Sequence, residues 1–138
     1  MKDPQKDPLY SWEEAWWGWS RSLITLGEAK EWIEWACTEY KIGVPKITKH
    51  KRGLSWFDPN INTISMNSKT ETNIPIALHE AAHVVIWEYF GDTVEDHGTA
   101  FVGVYLELLA AAGIAPRSAL EASLKEYKIK WKIPLILK

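Results

Sequence analysis

A single α+β domain, with a small and mainly antiparallel sheet packed on one central helix, is what this sequence predicts. Three observations lead there. The chain has 138 residues, the size of one ordinary domain and too few for two independent cores. Short β-like runs separated by turn signals are confined to residues 45–66, and helical spacing dominates on either side. One helical stretch is apolar almost all round, as expected of an element buried on every side.

Residues 1–10 are polar at the start and contain Pro4 and Pro8, so a short disordered start is expected. The first helix is expected over Ser11–Ser22. Trp12, Trp16, Trp19 and Leu23 form its apolar stripe, with Glu13, Glu14, Ser20 and Arg21 mostly off it. A second helix, Leu26–Lys41, is announced by Thr25 and Glu28, which have the spacing of a capping box. Its buried face is Ala29, Trp32, Ile33, Ala36 and Tyr40, and Gly43 and Pro45 stop it. Three short strands follow at Lys46–His50, Leu54–Phe57 and Ile61–Met66, separated by Arg52-Gly53 and Asp58-Pro59-Asn60. The third alternates, Ile64 and Met66 against Thr63 and Ser65, the pattern of a half-buried antiparallel sheet.

After a polar loop, Asn67–Thr72, the central helix spans Ile74–Phe90. Asn73 caps it, and Pro75 lies in the first turn, where a missing N–H costs nothing. Gly91 ends it. A short acidic loop leads to an apolar helix from Gly98 to Ala112, closed by Gly113, and a last helix covers Pro116–Tyr127. The basic tail, Lys125–Lys138, interleaves its charges with Ile129, Trp131 and Ile133 and reads as a strand edge.

Composition excludes several classes. A formal net charge of −2 provides no basic footprint for nucleic acid. No apolar run approaches the roughly 20 residues of a membrane span. The polar start lacks the apolar run of a secretory signal, so a cytoplasmic protein is expected. Cys37 is the only cysteine and sits on an apolar helix face, as a buried bystander would.

The chemistry is concentrated in His79-Glu80-Ala81-Ala82-His83. Positions four apart on a helix share a face, so both imidazoles can point at one atom. Glu80 is turned about 100° from His79 and cannot easily join the same tetrahedral site. It can reach a water in a metal's open position, where a general base belongs. Burying two imidazoles and a carboxylate unpaired would cost several kcal/mol, and a metal ion removes that cost. A third ligand is needed if one position is to stay open. His97 is favoured, because it follows a loop short enough to fold it back on the first pair. Glu107 is the rival, and His50 lies in a Lys/Arg-rich run that favours solvation.

The pair His79-Glu80-x-x-His83 followed by His97-Gly98-Thr99-Ala100-Phe101 resembles the HExxH…HGxxF arrangement of SprT-like metallopeptidases, within the minigluzincin-like zincins. It is similar also to small bacterial and phage metallohydrolases with a stretch like His97–Leu109. The resemblance covers roughly residues 63–127. It includes a strand ending in Asn67 and a closing helix after Ala112-Gly113-Ile114. It implies a zincin-like domain, zinc as cofactor, His79, His83 and His97 as ligands, and Glu80 as base, with Phe101 packing one turn beyond His97. The four-cysteine zinc ribbon that SprT-like proteins often carry is absent, so their action on DNA-bound proteins is not implied. The Trp-rich residues 11–41 lie outside the resemblance.

The expected function is therefore zinc-dependent hydrolysis of peptide bonds in a protein or peptide substrate. Tyr105 is a candidate donor to the oxyanion, and Ile61–Met66 or a neighbouring strand offers an edge for an extended peptide. The alternative is a zinc-stabilised module with little or no turnover that binds a protein partner. Its motivation is the cluster Trp12, Trp16, Trp17, Trp19, Trp32 and Trp35, a dense aromatic surface if exposed and a cap on the core if buried.

Overall fold

The computed structural model describes residues 2–17, 23–69 and 72–133. Among them five helices surround a three-stranded sheet, so the α+β class holds. The helices are α1 (Lys6–Trp17), α2 (Leu26–Glu39), α3 (Ile74–Phe90), α4 (Thr99–Ala111) and α5 (Arg117–Glu126); the strands are β1 (Lys46–His50), β2 (Trp56–Asp58) and β3 (Thr63–Asn67). None of these helices is long and apolar enough to cross a membrane.

The chain start is the first departure from expectation. Residues 3–10 are folded rather than disordered, and α1 begins five residues before Ser11. Pro8 is its third residue, inside the first turn, where an N–H has no helical acceptor to lose. Starting there puts Leu9, Trp12, Glu13 and Trp16 on one face. Leu9, Trp12 and Glu13 are buried, and Trp16 packs against the core. Trp12 also donates its indole N–H to Ser123 of α5. Trp32 and Trp35 pack partly buried on the same core. The expected continuation of the first helix to Ser22, with Trp19, lies outside the described residues, as do residues 134–138 of the tail.

The capping box on α2 is formed: Thr25 Oγ1 accepts from the Glu28 N–H and Glu28 Oε1 accepts from the Thr25 N–H, both at 3.0 Å. Cys37 on this helix is fully buried, and burial pushes its thiol up to about 12, so it is chemically quiet.

The sheet is mixed rather than mainly antiparallel. Its order is β1-β3-β2, with β1 parallel to β3 from Lys46↔Thr63 to His50↔Asn67, and β2 antiparallel to β3 from Trp56↔Ser65 to Asp58↔Thr63. Charge explains the order. β3, Thr-Ile-Ser-Met-Asn, is the one strand without an ionisable residue and takes the centre. β1 carries Lys46, Lys49 and His50, and β2 carries Asp58; both sit at edges, where such residues stay wet. All five residues of β3 are buried, not alternate ones. Its polar face is satisfied internally: Ser65 Oγ lies 2.7 Å from His50 Nδ1, and Asn67 donates to Gly53 and Ser55. His50, expected to be solvated, is therefore half-buried and bonded through both ring nitrogens, the second to the Leu54 carbonyl at 3.0 Å.

α3 is the core of the molecule. Asn73 Oδ1 caps it from 2.8 Å, Pro75 occupies its first turn, and ten of its residues are buried. It packs against α2 on one side, α4 on the other, and β2 along its exposed end. α3 and α4 run antiparallel, since His79 meets Tyr105 while His83 meets Phe101.

The tail after α5 is irregular through residue 133 rather than a strand edge. It crosses α4 at Gly103, and the Lys132 N–H donates to the Thr99 carbonyl at 3.1 Å. A Cβ on Gly103 would stand 2.0 Å from the Lys132 carbonyl oxygen, so the crossing requires glycine. Gly103→Ala should therefore cost about 1–3 kcal/mol, the usual range for forcing a methyl into packed space. A urea midpoint unchanged from the native protein would contradict this crossing.

Candidate metal centre

α3 brings His79, Glu80 and His83 to the floor of a cleft, and the loop after Gly91 returns His97 to the same point. One ligand nitrogen from each of His79, His83 and His97 lies within 4.8 Å of the other two. His79 and His97 are buried and His83 is half-buried. The rings contact one another, with centroids 5.0 Å apart for His79 and His83, 5.4 Å for His79 and His97, and 4.8 Å for His83 and His97. Three histidines so arranged could hold a metal ion.

Each ring is fixed by what lies behind it. His79 Nδ1 is 2.7 Å from Glu13 Oε2, and the Tyr105 hydroxyl donates to the same oxygen from 2.6 Å. His97 Nδ1 is 2.6 Å from Asp3 Oδ2, and the His97 backbone N–H donates to Asp3 Oδ1 at 2.9 Å. Gln5 donates to the His97 carbonyl. The His83 ring stacks on Phe101 at 4.4 Å. Facing a carboxylate, Nδ1 carries the proton, which leaves the lone pair on Nε2. His97 Nε2 is buried without a hydrogen-bond partner. A buried polar atom left unpaired is costly, and an ion bound there would satisfy it.

Electrostatics favour the neutral, ligating form. Burial and the nearby His79 and His97 hold His83 well below its ordinary value of 6.5. Burial and His79 also lower His97, and they outweigh the opposing pull of Asp3. At neutral pH both imidazoles therefore keep a lone pair available.

Glu80 is buried at the same floor, its Oε2 3.9 Å from His79 Nε2, and it faces the cleft rather than joining the histidine cluster. The cleft encloses about 310 Å³; Trp56 and Phe57 of β2 form one wall, Trp87 and Tyr10 others. The open edge beside it is β2; Ile61–Met66, offered earlier as an edge, includes the central strand.

Two sequence candidates lie elsewhere. Glu107 is not in the cluster; its Oε2 accepts from the Tyr40 hydroxyl at 3.1 Å. Tyr105 is fully buried and its hydroxyl donates to Glu13, so it supports His79 rather than facing an oxyanion. Asp3 and Glu13 were not identified from sequence. Glu13 had a signal: once Lys6 starts the helix, it falls within the stripe of Leu9, Trp12 and Trp16. Asp3 had none.

Comparison of the chain with protein-family models, with curated proteins and with solved structures found no match.

Proposed function

We propose that this chain is a zinc-dependent metallopeptidase. The reading rests on one observation above all: three ligand nitrogens converge, one of them buried and unpaired, with a carboxylate beside them that is not itself in the cluster. Three histidines are a donor set suited to a catalytic zinc, since they leave a position open. Histidine also ligates copper, iron and nickel, so the choice of zinc rests on donor chemistry and on the resemblance of residues 79–83 and 97–101 to zincins.

When bound, zinc supplies a Lewis acid that acidifies water and polarises a carbonyl. The chain does the rest. His79, His83 and His97 would hold the ion, with Glu13 and Asp3 behind the rings of His79 and His97. Glu80 takes a proton from the attacking water and returns it to the leaving nitrogen. The exposed edge of β2 can pair with an extended peptide, and Trp56 and Trp87 can hold apolar side chains of the substrate.

The test joins metal content to turnover. Purified protein should contain about one zinc per chain by elemental mass spectrometry. It should cleave an unfolded protein or peptide pool, lose this activity to a chelator and regain it with zinc. His97→Ala should lose most of the metal. Protein that carries zinc yet cleaves no peptide pool would leave a metal site without the peptidase.

A further inference from the structure

The carboxylates behind His79 and His97 both come from the first thirteen residues, outside the stretch that carries the zincin-like motif. Neither is a surface charge. Glu13 is 6 % exposed, and the Asp3 side chain is 19 % exposed. Among the described residues neither pairs with a lysine or arginine; their ion-pair partners are the two histidines, which are neutral donors when they ligate. Glu13 moreover replaces what would otherwise be an apolar residue, between Leu9, Trp12 and Trp16. A buried carboxylate and a half-buried one that face no cation carry an electrostatic cost, and one divalent ion at the histidines would offset it.

We propose that Asp3 and Glu13 are positioning residues of the metal centre, so that docking of residues 3–13 and binding of the metal are one coupled equilibrium. The inference rests on the metal reading above. Coupling of this kind is reciprocal: the docked segment raises affinity for the ion, and the ion holds the segment down by the same factor. The two carboxylates differ in how they act. Asp3 uses both oxygens, one for the His97 ring and one for its backbone N–H, so asparagine can serve only one of them. Glu13 receives both donors on one oxygen, so glutamine can keep the geometry and lose only the charge.

The experiment measures zinc affinity of the full chain by competition with a chromophoric chelator, beside hydrogen exchange of α1 with and without zinc. Glu13→Ala and Asp3→Asn should each weaken zinc by about 10–100-fold, the usual effect of removing such a support. Glu13→Gln should weaken it less. Thr25→Ala removes the capping box of α2, outside the docked segment, and should leave affinity within about twofold of native. Zinc should slow exchange in α1 of the native chain, and less so in Asp3→Asn. If Glu13→Ala does not fold, Glu13→Gln and Asp3→Asn carry the test. Native affinity in both Glu13 and Asp3 variants would overturn the positioning role while leaving the metal site intact. Equal weakening by Thr25→Ala would reduce the effect to general stability and overturn it too. A native chain that binds no zinc would remove the metal reading and this inference together.

Discussion

Glu80→Gln should retain a full complement of zinc and lose peptide hydrolysis by about 10²–10⁴-fold, the range typical of a positioned general base. That corresponds to about 3–5 kcal/mol of barrier. Glutamine matches glutamate in volume and keeps the neutral hydrogen-bonding shape of the site, but its amide cannot accept the water's proton. Zinc stays because Glu80 is not one of the three converging ligands. Paired assays are decisive here: elemental mass spectrometry for the metal, and initial rates on one peptide substrate. A variant that keeps zinc and more than a tenth of the native rate would exclude Glu80 as the base.

His83→Leu should act in opposite directions on the two forms of the protein. With zinc supplied, one of three ligands is gone. Structural zinc sites bind with roughly 10–16 kcal/mol over four ligands, about 2.5–4 kcal/mol each, and a loss of that size here would lower affinity about 10²–10³-fold. Without metal, three imidazoles crowd one another, and leucine would pack against Phe101 with no proton to refuse. The metal-free variant should therefore melt at a higher temperature than metal-free native protein. The pH dependence has the same origin. His83 and His97 are lowered in the folded state, so below about 6.5 the unfolded chain takes up protons that the folded chain declines. Stability of the metal-free protein is thus undiminished above 6.5 and falls as pH drops below it, towards the lowered folded values. Leucine at position 83 should flatten that fall. A metal-free native protein with pH-independent stability between 7 and 5 would contradict the geometry of the cluster.

Local signals in the sequence account for α2, α3, α4 and α5 to within a residue or two. Each has a cap, a proline or a glycine whose effect is confined to one turn, as with Thr25, Asn73 and Gly91. Strand order was less legible, because alternation says which face a residue points to and not which strand lies beside it. The absence of charge in Thr63–Asn67 was the usable clue to the central strand. Inside the site, His79, His83 and His97 lie together with Glu80 lining the same cleft, a proximity readable from helical spacing and a short return loop. The supports of those histidines were hidden by distance along the chain. Glu13 and His79 are 66 positions apart, and Asp3 and His97 are 94 apart. No periodicity links such pairs; only the folded chain does.

The Gln5 side chain, which donates to the His97 carbonyl, also exchanges two hydrogen bonds with the backbone of Lys130, at 2.7 and 3.1 Å. These residues are 125 positions apart, so the clasp closes residues 5–130 into a ring. During synthesis from the amino end, the histidines and Glu80 emerge long before Lys130 does. The backing of His97 therefore cannot be complete until the tail has left the ribosome and laid itself over Gly103. Contacts of such long range form late, because the loop they close must be ordered first. Assembly of the centre is in this way timed to the emergence of Lys130, and a product broken off after α5 would carry all three histidines without the clasp beneath one of them.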